Sequence, residues 1–353
     1  MANFDDFKLS IEAMSGGKNT VLFDDMEMPS VMVPFPKQKI ADIMTGGSQN
    51  IHPAFSVGGV EKDVIYVSKF QNIVENDRAY SLPLRDPKVY VNFDQANTYC
   101  RNKGKGWGLN PYSLWSAIAL WCRKNGTMPR GNNNYGKDVS YPHEKGVITY
   151  KYMSEGKEYD GRTATGSGPA TWYHNWMPDG IADLNGNVWE WCAGMRLKDG
   201  EIQIIPYANS MLAETNLSAT STEWKAIKAD GSLVDPGTAG TLKWDWVSSK
   251  IQLTSGNVTY TTDQGNGMQY KDMTLAAGLT APELAKVLLL YPDEPGGDYG
   301  GDYHWMNTRG ERLPLCGGDW SSTSGAGVFS VNLYNPRSIS LSDVGFRSAF
   351  VEL

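Results

Sequence analysis

Residues 180–191 read GIADLNGNVWEW, the most specific string in the chain. Gly186 and Asn187 predict a tight turn, because glycine and asparagine tolerate the positive φ angles that such turns require. The turn leads into a strand on which Trp189 and Trp191 share one face, since successive side chains of a strand point to opposite sides. The string therefore predicts a strand anchored by two large aromatic side chains directly after a turn.

Glu190 is predicted on the opposite face of this strand, beside the backbone carbonyl groups of the turn. Carboxylate and carbonyl oxygens are the ligands that calcium prefers. One interpretation is therefore a structural calcium ion held by Gly186, Val188 and Glu190. In the alternative, which the pattern favours, Glu190 accepts hydrogen bonds from nearby backbone amides. Neither interpretation requires a cofactor.

The composition predicts an ordinary folded protein. Of 353 residues, 41% are hydrophobic and 20% are charged, a balance that excludes a disordered or collagen-like chain. The 12 Trp, 18 Tyr and 38 Gly favour a loop-rich fold with large aromatic anchors over a helical bundle. With 32 Lys and Arg against 39 Asp and Glu, the net charge is −7 and no basic block stands out, so no nucleic-acid partner is expected.

The residues that most often carry catalysis show no pattern of their own. Cys100, Cys122, Cys192 and Cys316 have no zinc-type spacing, and they are predicted to be reduced and mostly buried. The four histidines form no ligand spacing. The chain contains no GxSxG motif, so a catalytic triad has no support.

The chain also has no segment typical of export or of membrane spanning. Its first residues, MANFDDFKLSIEAMSGG, lack a basic segment followed by an apolar run, so no signal peptide is predicted. The longest apolar run, around residues 284–290, is too short to cross a bilayer. We therefore expect synthesis in the cytoplasm without membrane insertion, and release in a particle on lysis if the protein acts outside the cell.

Two helices have clear start signals. Asn92 and Gln95 form a capping-box pattern, which predicts a helix from residue 93. Asn110 is predicted to cap a second helix, with Pro111 at its first position and Gly126 just past its end.

Later segments carry weaker signals. The alternation in VIYVSKF, residues 64–70, predicts a strand, and KIQLTSGNVTYTT, residues 250–262, predicts a hairpin. Thr280 and Glu283 predict a capping box for a further helix, with Pro282 in its first turn.

Several motifs together resemble one known family. GIADLNGNVWEW is similar to the signature of the formylglycine-generating-enzyme family, a branch of the C-type lectin fold. Further similar motifs follow the family's order: VNFDQANTYC at 91–100, LNPYSLWSA at 109–117, GGDW at 317–320 and VGFR at 344–347. The resemblance covers roughly residues 50–195 and 305–353. It implies an α+β protein with a C-type lectin fold of the formylglycine-generating-enzyme subtype and with irregular loops.

The same resemblance divides the chain. Residues 51–353 are expected to form the C-type-lectin-fold domain, with an insertion at residues 195–305. Residues 1–50 are expected to form a small N-terminal arm or subdomain of short strands that serves docking or oligomerisation.

The resemblance does not extend to the family's chemistry. In formylglycine-generating enzymes, two cysteines after the GGS-aromatic element bind copper and activate oxygen. The corresponding positions here are Ser322 and Gly327, and neither a hydroxyl nor a hydrogen replaces a thiolate on Cu(I). We therefore expect a protein that is not an enzyme, and an oxidase of this type is the least favoured alternative.

The C-terminal stretch resembles something narrower. Residues 317–350, GGDWSSTSGAGVFSVNLYNPRSISLSDVGFRSAF, are similar to the variable region of diversity-generating retroelement proteins, in which a reverse transcriptase miscopies template adenines and rewrites the end of the gene. The similarity implies a ligand-binding variable set of Asp319, Ser321, Ser322, Ser324, Ser330, Asn332, Tyr334, Ser338, Ile339, Ser340, Leu341, Ser342 and Asp343. It implies a fixed framework that includes Trp320, Phe329, Pro336, Gly345, Phe346 and Arg347.

The alternation in VFSVNLYNP predicts how this region separates stability from recognition. Ser330, Asn332 and Tyr334 would share an outward face, while Val331 and Leu333 would be buried on the other. Substitutions on an exposed face usually cost little stability.

The resemblance implies a hypervariable receptor-binding protein. Because no signal peptide or lipid anchor is predicted, we expect a phage or prophage tail-tip protein located on the virion and not a cell-surface lipoprotein. Its partner would be a protein or glycan of the host cell surface, and the N-terminal arm would contact phage tail proteins. The alternative is a carbohydrate-binding, lectin-like module of fixed sequence.

Overall fold

The computed structural model describes residues 4–353, which form many short strands, few helices and long irregular loops. Helices α1–α5 are Asp5–Met14, Ile40–Ile43, Phe93–Arg101, Tyr112–Asn125 and Glu283–Val287. Strands β1–β25 are Thr20–Phe23, Pro29–Pro36, Ser56–Val57, Val60–Glu61, Val64–Ser68, Ile73–Glu75, Arg78–Tyr80, Trp107–Leu109, Lys151–Ser154, Lys157–Asp160, Trp189–Trp191, Met195–Lys198, Glu201–Ile204, Lys225–Ile227, Leu233–Val234, Lys243–Val247, Lys250–Thr254, Asn266–Gln269, Thr274–Leu275, Tyr303–Met306, Glu311–Arg312, Leu315–Gly317, Gly327–Leu333, Val344–Phe346 and Ser348–Phe350. This mostly sheet architecture agrees with the predicted α+β class.

A five-stranded sheet joins the two ends of the chain in the order β1-β2-β5-β25-β8. The strand predicted from VIYVSKF is β5, and it lies between β2 and β25. The predicted short strands near the N-terminus are present as β1 and β2. However, β2 pairs with β5 along five residues, from Met32↔Ser68 to Pro36↔Val64, so residues 20–36 are built into this sheet and do not form a separate arm.

A six-stranded sheet carries the C-terminal region, in the order β18-β20-β23-β22-β11-β24. The sheet is buried on both sides, because one face packs into the main hydrophobic cluster with α4 and the other packs into a second cluster with α3. Trp115 of α4 fixes the first contact by donating its indole N–H to the carbonyl oxygen of Val328 at 2.8 Å.

Residues 195–305 contribute to two sheets. Strands β12–β17 and β19 lie with β21 in a separate eight-stranded sheet, whereas β18 and β20 belong to the six-stranded sheet. The hairpin predicted within residues 250–262 is wrong in its pairing. β17 pairs with the preceding β16, from Lys243↔Thr254 to Val247↔Lys250. The polar alternation after residue 254 lies in a loop that is fixed by the Asp245 carboxylate, which accepts hydrogen bonds from the backbone N–H groups of Thr259 and Tyr260.

The two strongest helix predictions are confirmed. Asn92 Oδ1 accepts from the Gln95 backbone N–H at 2.9 Å, and Gln95 Oε1 accepts from the Asn92 N–H at 3.0 Å, which completes the capping box of α3. Helix α4 ends at Gly126, where φ is +68°. It begins one residue later than expected, since Pro111 is its N-cap and Tyr112 its first residue.

The capping box predicted for the last helix is wrong. Pro282 is the N-cap of α5, and Glu283 turns away from the helix. Its carboxylate accepts hydrogen bonds from the backbone N–H of Ser48 at 2.7 Å and from the Ser48 hydroxyl at 2.8 Å. A distant partner therefore takes the side chain that the local pattern assigned to the helix end.

Two further expectations concern the state of the cysteines and the presence of membrane-spanning helices. All four cysteines are buried, as predicted, and the described part of the chain forms no disulfide. Among residues 4–353, no helix combines the length and the apolar character that crossing a membrane requires.

Candidate functional site

Two loops of the C-terminal region meet at one end of the six-stranded sheet. Because β22 runs antiparallel to β11 and β24 runs parallel to it, the end of β22 and the start of β24 both lie beside the start of β11. Trp189 joins the two loops: its indole N–H donates to Asp319 Oδ2 at 2.8 Å, and its backbone N–H donates to the carbonyl oxygen of Asp343 at 2.8 Å. Residues from both ends of the predicted variable set are thus brought together.

Asp319 and Asp343 form a carboxyl pair at this meeting point. Burial, together with the charge and hydrogen bond of the neighbouring Asp319, raises the pKa of Asp343 to about 6, while Arg162 acts in the opposite direction. Asp319 Oδ1 also accepts from the backbone N–H and the hydroxyl of Ser321, at 2.6 and 2.7 Å. Asp343 therefore takes up a proton just below neutral pH.

An aromatic wall of Trp320, Tyr135, Tyr150, Tyr152 and Tyr159 borders the carboxyl pair. The Trp320 ring lies 5.8 Å from that of Tyr150 and 6.4 Å from that of Tyr152, measured between centroids. Tyr152 stacks in turn on Tyr159 at 5.5 Å and on Tyr135 at 6.3 Å. The wall gives this end of the sheet a rigid apolar surface.

Sequence reasoning missed most of this wall and the cation behind it. The tyrosines lie in or beside residues 130–160, where no periodicity shows. The Arg162 guanidinium lies 4.1 Å from the Tyr150 ring centroid and donates to the carbonyl oxygen of Ser342 at 2.8 Å. The high aromatic content of this segment is the only sequence signal that points to the wall.

The predicted variable set divides by exposure. Its exposed members are Ser321, Ser324, Tyr334, Ser338, Ser340 and Leu341. Its partly buried members are Ser322, Ile339, Ser342 and Asp343, and its buried members are Asp319, Ser330 and Asn332. The exposed members lie on the loops at 318–326 and 334–343.

The predicted outward face of β23 is wrong for Ser330 and Asn332. Asn332 lies between its register partners Trp305 and Leu315 in the middle of the sheet, and it is 3% exposed. Ser330 is fully buried and donates to the carbonyl oxygen of Gly325 at 2.8 Å. The period-2 pattern identifies two faces correctly, but it does not reveal that a second core covers the polar one. Only Tyr334, just past the end of the strand, reaches solvent.

The predicted framework lies beneath these loops. Its buried members are Trp320, Phe329, Gly345, Phe346 and Arg347, and Pro336 is partly buried. Phe329 packs against the rings of Tyr270 and Tyr299, at 5.7 and 4.9 Å between centroids. Gly345 approaches the backbone so closely that a Cβ there would lie 2.7 Å from the carbonyl oxygen of Lys88.

The oxygens suggested as calcium ligands converge on a side-chain amide. Gln71 Nε2 donates to Glu190 Oε1 at 3.1 Å and to the Val188 carbonyl at 3.2 Å, and it lies 3.5 Å from the Gly186 carbonyl. The Arg347 guanidinium contacts both Glu190 oxygens, and both side chains are buried.

This geometry favours the alternative in which Glu190 accepts hydrogen bonds, with side chains as the donors in place of backbone amides. Among residues 4–353, no group of three or more His, Cys, Asp or Glu side chains is placed to hold a metal ion. The calcium site stays an untested prediction.

Comparisons with known proteins give structural similarity alone. No family model matches the chain, and no curated protein matches it. Among solved structures, it is similar to Treponema denticola variable protein 1, with 13% identity and a TM-score of 0.34 over 94% of this chain and 98% of that one. It is also similar to the U1 and P3c variants of Major Tropism Determinant, each with 11% identity and a TM-score of 0.30 over 91% of this chain and 62% of the other. Similarity at this level assigns no function.

Proposed function

We propose that this protein is a hypervariable receptor-binding protein with a C-type lectin fold of the formylglycine-generating-enzyme subtype, diversified by a retroelement. One observation carries the proposal. Six predicted variable positions are exposed on two loops, and these loops rest on a framework that is almost entirely buried. Residues that bind can therefore change while residues that hold the fold stay constant.

The exposed side chains suit a binding surface that must change. Tyr334 and Leu341 are 39% and 46% exposed and offer contact area, while the serines between them offer adaptable hydrogen bonds. Substitutions at such exposed positions typically change stability by less than about 0.5 kcal/mol. The aromatic wall, whose residues lie outside the predicted variable set, would form a constant border to this surface.

The residues at the two positions that carry cysteines in the related enzymes support a protein that binds a ligand without catalysing a reaction. At the first position where the related enzymes carry a cysteine, the Ser322 hydroxyl accepts a hydrogen bond from the Asp319 backbone N–H at 3.0 Å. At the second, a Cβ on Gly327 would lie 2.2 Å from the carboxylate oxygens of Asp302. A buried carboxyl thus occupies the space that a second thiol would need, and no cofactor is required.

The proposal extends to partner and location. A protein or glycan of the host cell surface is the proposed receptor, and the virion tail tip is the proposed location. Helix α1 suits the docking role proposed for the N-terminus, because none of its residues is fully buried. The short strands that follow it are committed to the five-stranded sheet.

Sequencing the 3′ end of the gene across many isolates, with its downstream flank, tests the diversification. Substitutions should cluster within residues 319–343, leave Trp320, Phe329 and Pro336 unchanged, and match adenines in a nearby near-copy of the sequence. An invariant 3′ end with no near-copy would contradict the proposal and favour a fixed lectin-like module.

Receptor binding is tested on susceptible host cells with the full chain. We call the six exposed variable positions the variable surface. Ser340→Arg places a long cation on this surface and should abolish binding to the cells. Thr220→Arg makes the same change at an exposed position outside this region and should leave binding intact. Equal binding by both variants would place the receptor site elsewhere on the molecule.

A further inference from the structure

A separate cavity lies beside the variable surface. Its volume is about 310 Å³, and it is bounded by Arg130, Tyr141 and Trp176 on one side and by Asp302 and Gly327 on another. A cavity of this size is at the lower end of the range typical of small-molecule sites. Ser324 is the single predicted variable position that lines it.

Asp302 is the polar group that marks this cavity as a binding site. The residue is 3% exposed, and its Oδ2 accepts the Phe329 backbone N–H at 2.8 Å. Within residues 4–353, no donor is hydrogen-bonded to the other oxygen, Oδ1, and the residue lines the cavity. Because the side chain lines the cavity and Oδ1 is not one of the enclosed, unpartnered polar atoms of the described residues, this oxygen is accessible to a ligand.

Burial determines which form of the carboxyl a ligand would meet. It raises the pKa of Asp302 well above the usual range, and the hydrogen bond from Phe329 only partly opposes this effect. Among the described residues, 4–353, no cation forms an ion pair with the side chain. This shift favours the protonated carboxyl group, which can donate as well as accept a hydrogen bond.

The other charged groups of the cavity are already paired. Arg130 contacts the carboxylate of Glu144, and its guanidinium lies 3.3 Å from the Tyr141 ring centroid. The Asp138 carboxylate accepts hydrogen bonds from the backbone N–H groups of Gly131 and Ser140, at 3.2 and 2.8 Å. Arg130 is the cation of the lining and is already paired, so the lining does not favour an anionic ligand.

The rim adds an apolar face. Trp176 is 37% exposed, and its indole N–H donates to the carbonyl oxygen of Met128 at 3.0 Å, which fixes the ring beside the opening. Tyr141 is 40% exposed next to it. A ligand that has both an apolar face and several hydrogen-bonding groups would match the aromatic rim and the polar lining of the cavity.

We propose that this cavity binds a neutral, polyhydroxylated ring of the size of one pyranose unit, with its hydroxyl groups toward Asp302 and one face toward Trp176. The site is distinct from the variable surface, because all of its lining residues except Ser324 lie outside the variable set. The cavity would keep the same ligand specificity while the sequences of the neighbouring loops vary. The inference goes beyond the proposed function and does not depend on diversification.

The test uses methyl glycosides of glucose, galactose, mannose and N-acetylglucosamine with the full chain, read by saturation-transfer NMR. At least one should bind with a Kd of the order of 1 mM, as expected for a small ligand. Trp176→Ala should weaken that binding by about tenfold or more.

Tyr207→Ala is the matched control. Tyr207 is likewise an exposed aromatic residue with a positive φ, +61° against +55° at Trp176, and it does not line this cavity. Its replacement should leave glycoside binding unchanged. Equal losses in the two variants would overturn the proposed site.

A second pair of variants tests the carboxyl itself. Asp302→Asn keeps the shape and a hydrogen-bond donor and should retain binding to within about threefold, whereas Asp302→Leu should abolish it. If Asp302→Leu does not fold, Ser324→Trp tests the site instead, because an exposed indole there would block the opening.

The outcomes separate this site from the receptor surface. Absence of transfer to every glycoside at about 10 mM overturns the inference, given the affinity expected for ligands of this size. Glycoside binding that is lost in Ser340→Arg and kept in Trp176→Ala also overturns it, because the sugar would then bind to the variable surface. Loss of cell binding in Ser340→Arg, with glycoside binding intact, supports two sites.

Discussion

At the scale of single residues, Asp343 makes the stability of the proposed variable surface depend on pH. The pKa of its carboxyl is near 6 in the folded protein and 3.8 for the ordinary side chain. The folded state therefore binds this proton more tightly than the unfolded chain does. The stabilisation is fully present below pH 3.8 and is lost as the pH rises through 6.

Asp343→Asn should remove the free-energy cost of burying the ionised Asp343 carboxylate at neutral pH. We expect the variant to exceed the parent in free energy of unfolding by about 1–2 kcal/mol at pH 7.5, with the difference vanishing near pH 4. Urea unfolding at both pH values measures it. Asp272→Asn, at an exposed position, is the control and should show little change at either pH. An Asp343→Asn variant that is less stable at pH 7.5 would contradict the assigned direction.

The buried pair of Glu190 and Arg347 gives a second prediction at this scale. Arg347→Met leaves the Glu190 carboxylate buried without its cation and should cost about 3–5 kcal/mol in urea unfolding at pH 7. The double variant Glu190→Gln with Arg347→Met should be less destabilised, because no buried charge remains. Lys37→Met breaks exposed ion pairs with Glu61 and Asp63 and should cost little. Equal losses in the double and single variants would show that packing, and not charge, sets the cost.

At the scale of elements, β23 shows how packing constrains a strand that lies within the proposed variable region. Its seven residues, Gly327–Leu333, are all buried, because β20 and β22 flank it and a hydrophobic cluster covers each face of the sheet. Packing would thus limit diversity at this strand, whereas the exposed positions of the loops that follow β22 and β23 do not face that limit.

Enlarging a side chain should destabilise the protein much more on strand β23 than on the loop that follows it. Ser330→Tyr inserts a ring into a packed core and should cost about 3 kcal/mol or more. Ser340→Tyr makes the same change on the exposed loop and should stay within about 0.5 kcal/mol of the parent. Thermal unfolding of the two variants measures the difference. Similar melting temperatures would mean that the polar face of β23 is open to solvent after all.

At the scale of the whole molecule, the N-terminal segment has two parts with different roles. Helix α1 has no fully buried residue and touches a small cluster through Phe7 and Ile11. Strand β2 lies between β1 and β5, and it joins the start of the chain to the C-terminal β25 through β5. The helix is peripheral, while the strand is part of the fold.

Two truncations test this division. Deleting residues 1–17 should give a folded protein with a melting temperature only a few degrees lower, whereas deleting residues 1–36 should prevent folding, because β5 loses a partner along its whole length. Circular dichroism and thermal unfolding of both chains measure the outcome. A folded protein without residues 1–36 would show that the segment is a separable arm.

Local patterns predicted what depends on neighbours in the chain. The capping box of α3, the glycine after α4 and the strand at residues 64–68 were predictable, because backbone hydrogen bonds within a few residues decide them. The capping box proposed for α5 failed for the opposite reason. Glu283 binds Ser48, which is far away in sequence, and no local signal announces such a partner.

By itself, the sequence indicated, through the resemblance of its motifs, the α+β class, the buried framework and a predicted variable set, six of whose thirteen members are exposed on loops. Short motifs carry this information because they are local in the chain. Only the tertiary structure decided that Asp319 and Asp343 form one carboxyl pair, that a second core buries Ser330 and Asn332, and that Asp302 faces a cavity. These features depend on which elements pack together. Packing joins residues that are distant along the chain, and a one-dimensional pattern does not contain that information.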